Sequence, residues 1–351
     1  MVRSLTLALT AVAVLFTSVA VPSRPAAAAG GTCTEYAVAV PLTDGGPLDQ
    51  TVRGDLCLPR FGAPRTVQVL VHGGSYDRTY WDFPYMPQLY SYVRYANAAG
   101  YATFNVDSIG SGTSSHPDSS QVTMATAAAA LHQVITRLRA GSIGSVAFDN
   151  VIYVGHSFGV SIGWTLAGTH GSDVDGFIAT GAPHAISATA VGGLAGAAFP
   201  ASQDPKFAAL GLDPGYLSAP AESRQIAFYH EPTSDQRAIA TDYATRDSFS
   251  VGTLLTGLPL FVIPPALSPT LALTGPVLSI FGGNDFLFCQ PDALDCTDHA
   301  GIRQHEAAYY PHASSFRLVI VPRTGHSLNT HYTAPLSFVT MLGWARAHIA
   351  P

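Results

Sequence analysis

Residue types and spacing with chemical potential concentrate in Gly155-His156-Ser157-Phe158-Gly159. Four β-prone apolar residues, Val151-Ile152-Tyr153-Val154, run straight into this pentapeptide, and a helix-compatible stretch beginning Val160-Ser161-Ile162 follows. A chain that leaves a buried strand, turns sharply and starts a helix presents the central serine at the apex with its hydroxyl exposed. Gly155 and Gly159 suit so tight a turn, because a side chain at either would collide with neighbouring backbone. The helix would point its N-terminus at the site, where the Phe158 N–H can face a developing oxyanion. The pentapeptide alone is a weak signal, and an ordinary strand-to-helix turn is the competing reading. The flanking β-run and helix favour the nucleophile.

A serine nucleophile needs a base within hydrogen-bond reach, and the base needs an orienting carboxylate. In an open parallel sheet such groups gather at the carboxyl ends of strands. Asp285 follows the strand pattern Val277–Phe281 through Gly282-Gly283-Asn284, and His326 follows Phe316–Val321 through Pro322-Arg323-Thr324-Gly325. His305, His312 and His331 lack that placement, His331 being the nearest competitor. Asp107 is the rival carboxylate, and Asp292, Asp295 and Asp298 read as solvated loop residues.

These positions require a sheet to hold them. Tyr36 to Leu58 reads as an antiparallel hairpin region at a sheet edge. Thr66–Val71 is a buried-strand pattern, Met86–Ala99 a helix, Ala102–Val106 a strand and Ser120–Ala140 a long Ala-rich helix stopped by Gly141. The nucleophile strand, a helix to about Gly168 and the strand Gly176–Ala179 continue the alternation, which predicts an α/β fold with a mainly parallel sheet flanked by helices. From about His184 to Thr274 the rhythm lapses. A structureless loop of that length is improbable in a compact domain, so it reads as a mostly helical cap inserted between two strands. The rhythm resumes with the strands already named, a helix near Gly301–Tyr310 and a last helix from about Thr333 to His348. The expected organisation is 1–29 leader, 30–183 first part of the core, 184–274 cap and 275–351 second part of the core.

The leader has Arg3, an apolar run from Leu5 to Ala20 and the small-residue site Ala27-Ala28-Ala29. It reads as an export signal, and no later stretch is suited to stable membrane insertion. Removing 29 of 351 residues leaves 322 and takes away two arginines and no acids, so the net charge moves from −6 to −8. Such an acidic chain has no electrostatic case for binding nucleic acid. Four cysteines in an exported chain favour disulfides, with Cys33–Cys57 and Cys289–Cys296 suggested by proximity and three connectivities formally open. Zinc ligation competes, but neither C-x-x-C nor H-E-x-x-H occurs, so no metal is expected. Cys289 lies four residues past Asp285, so a Cys289–Cys296 bridge would pin the acid loop, with a stabilisation of ~2–4 kcal/mol at most.

At this point the chain resembles the α/β-hydrolase superfamily across most of its mature length. The resemblance rests on His72-Gly73-Gly74-Ser75, Asp107-Ser108-Ile109-Gly110-Ser111-Gly112-Thr113-Ser114, Gly155-His156-Ser157-Phe158-Gly159, Gly283-Asn284-Asp285 and Gly325-His326, in the order Ser157, Asp285, His326. It implies a serine hydrolase acting on a small-molecule carboxylic ester without cofactor, as an esterase, lipase or lactonase. Gly74 and Phe158 would supply the oxyanion N–H groups. His72 would brace its turn, and Asp107 would be structural. Ser75, Tyr76, His156 and His184 are candidate substrate contacts. Aromatics near the oxyanion loop (Tyr76, Tyr80, Trp81, Phe83, Tyr85) and in the cap (Phe207, Tyr216, Phe228, Tyr229) either line an apolar pocket or pack the core. An acyltransferase, an amidase or a cofactor-free perhydrolase could use the same triad, and a non-catalytic binding protein is the remaining class. Natural substrate and oligomeric state are not legible.

Overall fold

The computed structural model describes residues 31–351; the expected leader at 1–29 lies outside the described residues. The chain opens with β1 (Thr32–Val40) and β2 (Gln50–Leu58), an antiparallel hairpin in which Cys33 lies opposite Cys57 and the two form a disulfide. The strands β3 (Thr66–Val71), β4 (Ala102–Asp107), β5 (Asn150–His156) and β6 (Gly176–Thr180) follow. Every residue of β3, β4 and β6 is buried, as is all of β5 beyond Asn150. A strand covered on both faces loses the alternation of a half-exposed one and reads as a continuous apolar run. Each Val, Leu or Ile fully withdrawn from water contributes roughly 1.5–3 kcal/mol.

The helix expected over Met86–Ala99 is in fact two, α1 (Pro87–Tyr90) and α2 (Tyr92–Ala98). Ser91 divides them. Its backbone is extended, its hydroxyl accepts from Arg94 N at 3.2 Å and donates to Asp82 Oδ1 at 2.5 Å. Serine competes for backbone partners in this way and so caps helices rather than continuing them. The next helix, α3 (Met124–Arg139), starts later than Ser120 because Thr123 and Thr126 close a reciprocal capping box. Next comes α4 (Phe158–His170).

After β6 the segment up to residue 275 carries four short helices, α5 (Ala188–Ala197), α6 (Ala221–Phe228), α7 (Gln236–Thr245) and α8 (Val251–Gly257). It also contains a small antiparallel sheet of β7 (Phe199–Pro200), β8 (Tyr216–Ser218) and β9 (Phe249–Ser250), which the expectation of helix did not include. The main sheet is completed by β10 (Pro276–Gly282) and β11 (Ser315–Val321), and the chain adds α9 (His299–Ala307) and α10 (Ala334–His348). The strand order β1-β2-β4-β3-β5-β6-β10-β11 is parallel from β4 onward. The carboxyl ends of β3, β5, β10 and β11 therefore open on one edge. Among the described residues, no helix is long and apolar enough to cross a membrane.

Candidate active site

Ser157 sits between β5 and α4 with φ 52° and ψ −120°, a backbone state that costs an L-residue roughly 1–3 kcal/mol and persists only where its surroundings enforce it. The enforcement is visible. Ser157 N donates to Thr180 O at 3.0 Å. A Cβ on Gly159 would lie 2.4 Å from Val71 O, and one on Gly155 would lie 2.8 Å from the Gly159 carbonyl. Both glycines are thus required by backbone, which cannot move aside.

The loop after β3 folds over this turn. His72 bridges it, with Nδ1 bonded to Gly73 O at 2.8 Å and Nε2 accepting from Ser108 N at 3.1 Å. A Cβ on Gly73 would stand 3.0 Å from Ser157 Cβ, and one on Gly74 2.7 Å from the Phe158 ring. Asp107 accepts from Arg78 N and Thr113 N, both at 2.9 Å, which occupies it inside its own turn.

Asp285 and His326 meet, although 41 residues separate them: Asp285 Oδ2 lies 2.8 Å from His326 Nδ1, with both side chains buried. The other carboxylate oxygen of Asp285 accepts from Leu287 N at 3.0 Å. Behind His326 lies His156, whose ring centroid is 4.7 Å away. Burial, reinforced by the neighbouring His326, drives the His156 pKa well below the usual histidine value. A neutral His156 leaves His326 free to accept a proton without facing a second cation. The loop carrying His326 is held by His331, whose Nε2 accepts from Gly325 N and His230 N, both at 3.0 Å. Burial lowers the His331 pKa to about 4. That occupied nitrogen leaves His331 no lone pair to act as a base.

Ser157, Phe158, Gly74, Ser75 and His326 all line one open cavity. Its remaining walls are apolar, formed by Ile186, Val191, Leu194 and Ala195 from the insert's start, Phe228 from α6, Leu254, Leu258 and Phe261 from and just after α8, Phe249, and Leu287 beside Asp285. No hydrogen bond joins Ser157 Oγ to His326 among the described residues; catalytic bonds of this kind often tighten only when substrate is bound.

Of the four candidate substrate contacts, only Ser75 reaches the cavity wall. Tyr76 is buried with its hydroxyl bonded to Ser327 Oγ, which makes it a strut between the loop after β3 and the loop carrying His326. His156 lies beneath His326. His184 is stacked between Trp164 and Tyr309, and its Nδ1 lies 3.2 Å from the buried Glu306 carboxylate. Of the nine aromatics singled out in the sequence near the loop after β3 and in residues 184–274, Phe228 lines the cavity and the other eight do not. The aliphatic lining and Arg224, whose guanidinium touches Ser75, escaped the sequence reading because the insert has no periodicity to reveal which side faces inward.

Residues 68–337 match the model of the alpha/beta hydrolase family, and the chain belongs to that family. No curated protein matches it by sequence. Among solved structures it is similar to 2-hydroxy-6-oxo-6-phenylhexa-2,4-dienoate hydrolase from Rhodococcus sp., at 17% identity and TM-score 0.56, covering 89% of this chain and 99% of that one. It is also similar to a thermophilic esterase from Thermogutta terrifontis, at 14% identity and TM-score 0.56, covering 90% and 98%. An alpha/beta hydrolase from Novosphingobium aromaticivorans gives 12% identity and TM-score 0.56 over 90% and 98%. At such identities the likeness is one of fold.

Proposed function

We propose that this hydrolase is a secreted serine esterase that cleaves carboxylic esters with an apolar acyl group. Ser157 attacks the ester carbonyl, and His326 takes its proton and returns it to the leaving alcohol. Asp285 fixes the imidazole tautomer, and the N–H groups of Gly74 and Phe158 stabilise the oxyanion. Water then enters by the same route and releases the acid. Residues 184–274 act as a cap that supplies most of the acyl pocket. The observation that carries this reading is that His326, paired with the buried Asp285 at 2.8 Å, opens on the same cavity as the strained Ser157. Export is supported by the sequence of residues 1–29 and by the two disulfides, Cys33–Cys57 and Cys289–Cys296.

The apolar walls set the specificity expected. With p-nitrophenyl esters of graded acyl length, kcat/KM should rise about fourfold for each added methylene, from ~0.8 kcal/mol per buried CH₂, until the cavity is filled. A flat profile, or a preference for charged acyl groups, would remove the assignment of the cavity to the acyl chain. Product analysis with an added alcohol acceptor separates hydrolysis from acyl transfer.

A further inference from the structure

We propose that Arg224, on helix α6 of the insert, is a positioning residue that clamps the oxyanion loop through Ser75. The proposal rests on the esterase reading above. Its guanidinium Nη1 donates to Ser75 Oγ at 2.5 Å and to Ser75 O at 3.1 Å, while Nη2 donates to Asp242 Oδ2 at 2.8 Å. The Tyr76 and Phe228 rings lie 4.9 and 5.0 Å from the guanidinium carbon. Arg224 and Asp242 are almost completely buried, with side chains 2% and 4% exposed.

Withdrawing two ions from water carries a penalty that apolar residues of similar volume would avoid, so the pair is poorly explained as a device for stability alone. What it touches is specific. Ser75 has φ 62°, an unfavourable state for a non-glycine residue, and it directly follows Gly74. Two acceptors on Ser75 and one on Asp242 diverge in a way that suits the two terminal nitrogens of a planar guanidinium better than the single centre of an ammonium. The same helix places Phe228 against His326, at 5.4 Å between ring centroids, so α6 spans both sides of Ser157. If the clamp is released, Ser75 can leave its strained state and carry the Gly74 N–H out of line with the developing oxyanion.

The insert contains its own control. Arg246 and Asp204 form a second buried ion pair, at 2.6 Å, whose guanidinium bonds no residue of the oxyanion loop, the one link from this side to Ser75 being the backbone N–H of Asp247, 3.0 Å from Ser75 O, which a change of the Arg246 side chain leaves in place. Arg224→Gln, Arg224→Lys and Arg246→Gln are compared in the mature protein by p-nitrophenyl ester kinetics and by hydrogen exchange of the His72–Asp77 segment. Arg224→Gln should lower kcat ~10–100-fold, less than the ~10²–10³ for outright loss of an oxyanion donor, with KM nearly unchanged. Arg224→Lys should fall in between, and exchange at His72–Asp77 should rise in both. Arg246→Gln should lower thermal stability but keep kcat within about threefold, as expected for a residue with no contact to the reacting groups. Equal kcat losses in the Arg224 and Arg246 variants, a loss confined to KM, or unchanged exchange would overturn the clamp. Should Arg224→Gln not fold, Ser75→Ala removes one bond of the clamp and leaves the ion pair intact; a kcat equal to wild type there counts against the proposal. A wild type that turns over no ester defeats the esterase reading itself, while the exchange comparison still reports on the clamp.

Discussion

The sheet edge and the insert above it enclose the same cavity with opposite materials. Along the edge, β3, β5, β10 and β11 are built mainly from apolar residues, and tight glycine turns deliver Ser157, Asp285 and His326 from their ends. The insert between residues 204 and 247 buries charge instead: Asp204, Arg224, Asp242, Arg246 and Asp247 are all largely withdrawn from water. An apolar sheet fixes position through packing density and backbone contacts that tolerate no added methyl. A charged insert fixes position through a few directional bonds, each of which can be removed singly. The edge should therefore respond to substitution mainly in chemistry, and the insert in alignment and pH dependence.

Asp285→Asn probes the edge and should produce the largest effect. It preserves shape and deprives His326 of the acceptor that sets its tautomer, so kcat should fall about 10⁴-fold with thermal stability little changed. Retention of most activity would mean that another carboxylate orients the histidine.

Asp247 probes the insert. Burial, with repulsion from Asp77 and Asp107 outweighing the bonds donated by Gly112 N and Ser248 N, pushes its pKa up to about 7. A carboxyl raised in the folded state contributes stability that is fully present below pH ~4 and is lost as pH rises through about 7, a swing of up to about 4 kcal/mol. Asp247→Asn copies the protonated form. Denaturant unfolding should find it more stable than wild type by up to about 4 kcal/mol at pH 8 and equal to it near pH 4; a constant difference across that range would refute the assignment.

The smallest effect is expected where the two regions join. The Cys289–Cys296 bridge closes seven residues of the acid loop, and Asp292 within it accepts from Thr189 N of α5 at 3.0 Å. Dithiothreitol should lower the thermal midpoint or activity modestly, by the low end of ~2–4 kcal/mol for so short a loop. Unchanged activity with both thiols alkylatable would show that the bridge has no part in holding Asp285.

The legibility of the sequence followed the same division. Strands buried on both faces announce themselves as apolar runs, and the residues just beyond them are few, so Ser157, Asp285 and His326 stand out in the sequence as candidates, of which the structure brings Asp285 and His326 to 2.8 Å. The break at Ser91 was missed because a serine within a helical pattern gives no sign of whether its hydroxyl will cap. Arg224 and the aliphatic cavity wall were missed for a deeper reason: their roles depend on how short irregular elements dock on the sheet, and neither spacing nor composition encodes that docking. Neither the place of Tyr76 and His156 beside the glycine turns nor that of His184 at the start of residues 184–274 tells whether a ring faces the cavity or the core, and all three lie off the cavity wall.

The most direct test of the account is covalent labelling with a fluorophosphonate followed by peptide mass spectrometry. One adduct is expected, on Ser157, absent in Ser157→Ala and formed far more slowly in His326→Ala. Labelling at another serine, or an equal labelling rate without the imidazole of His326, would contradict it.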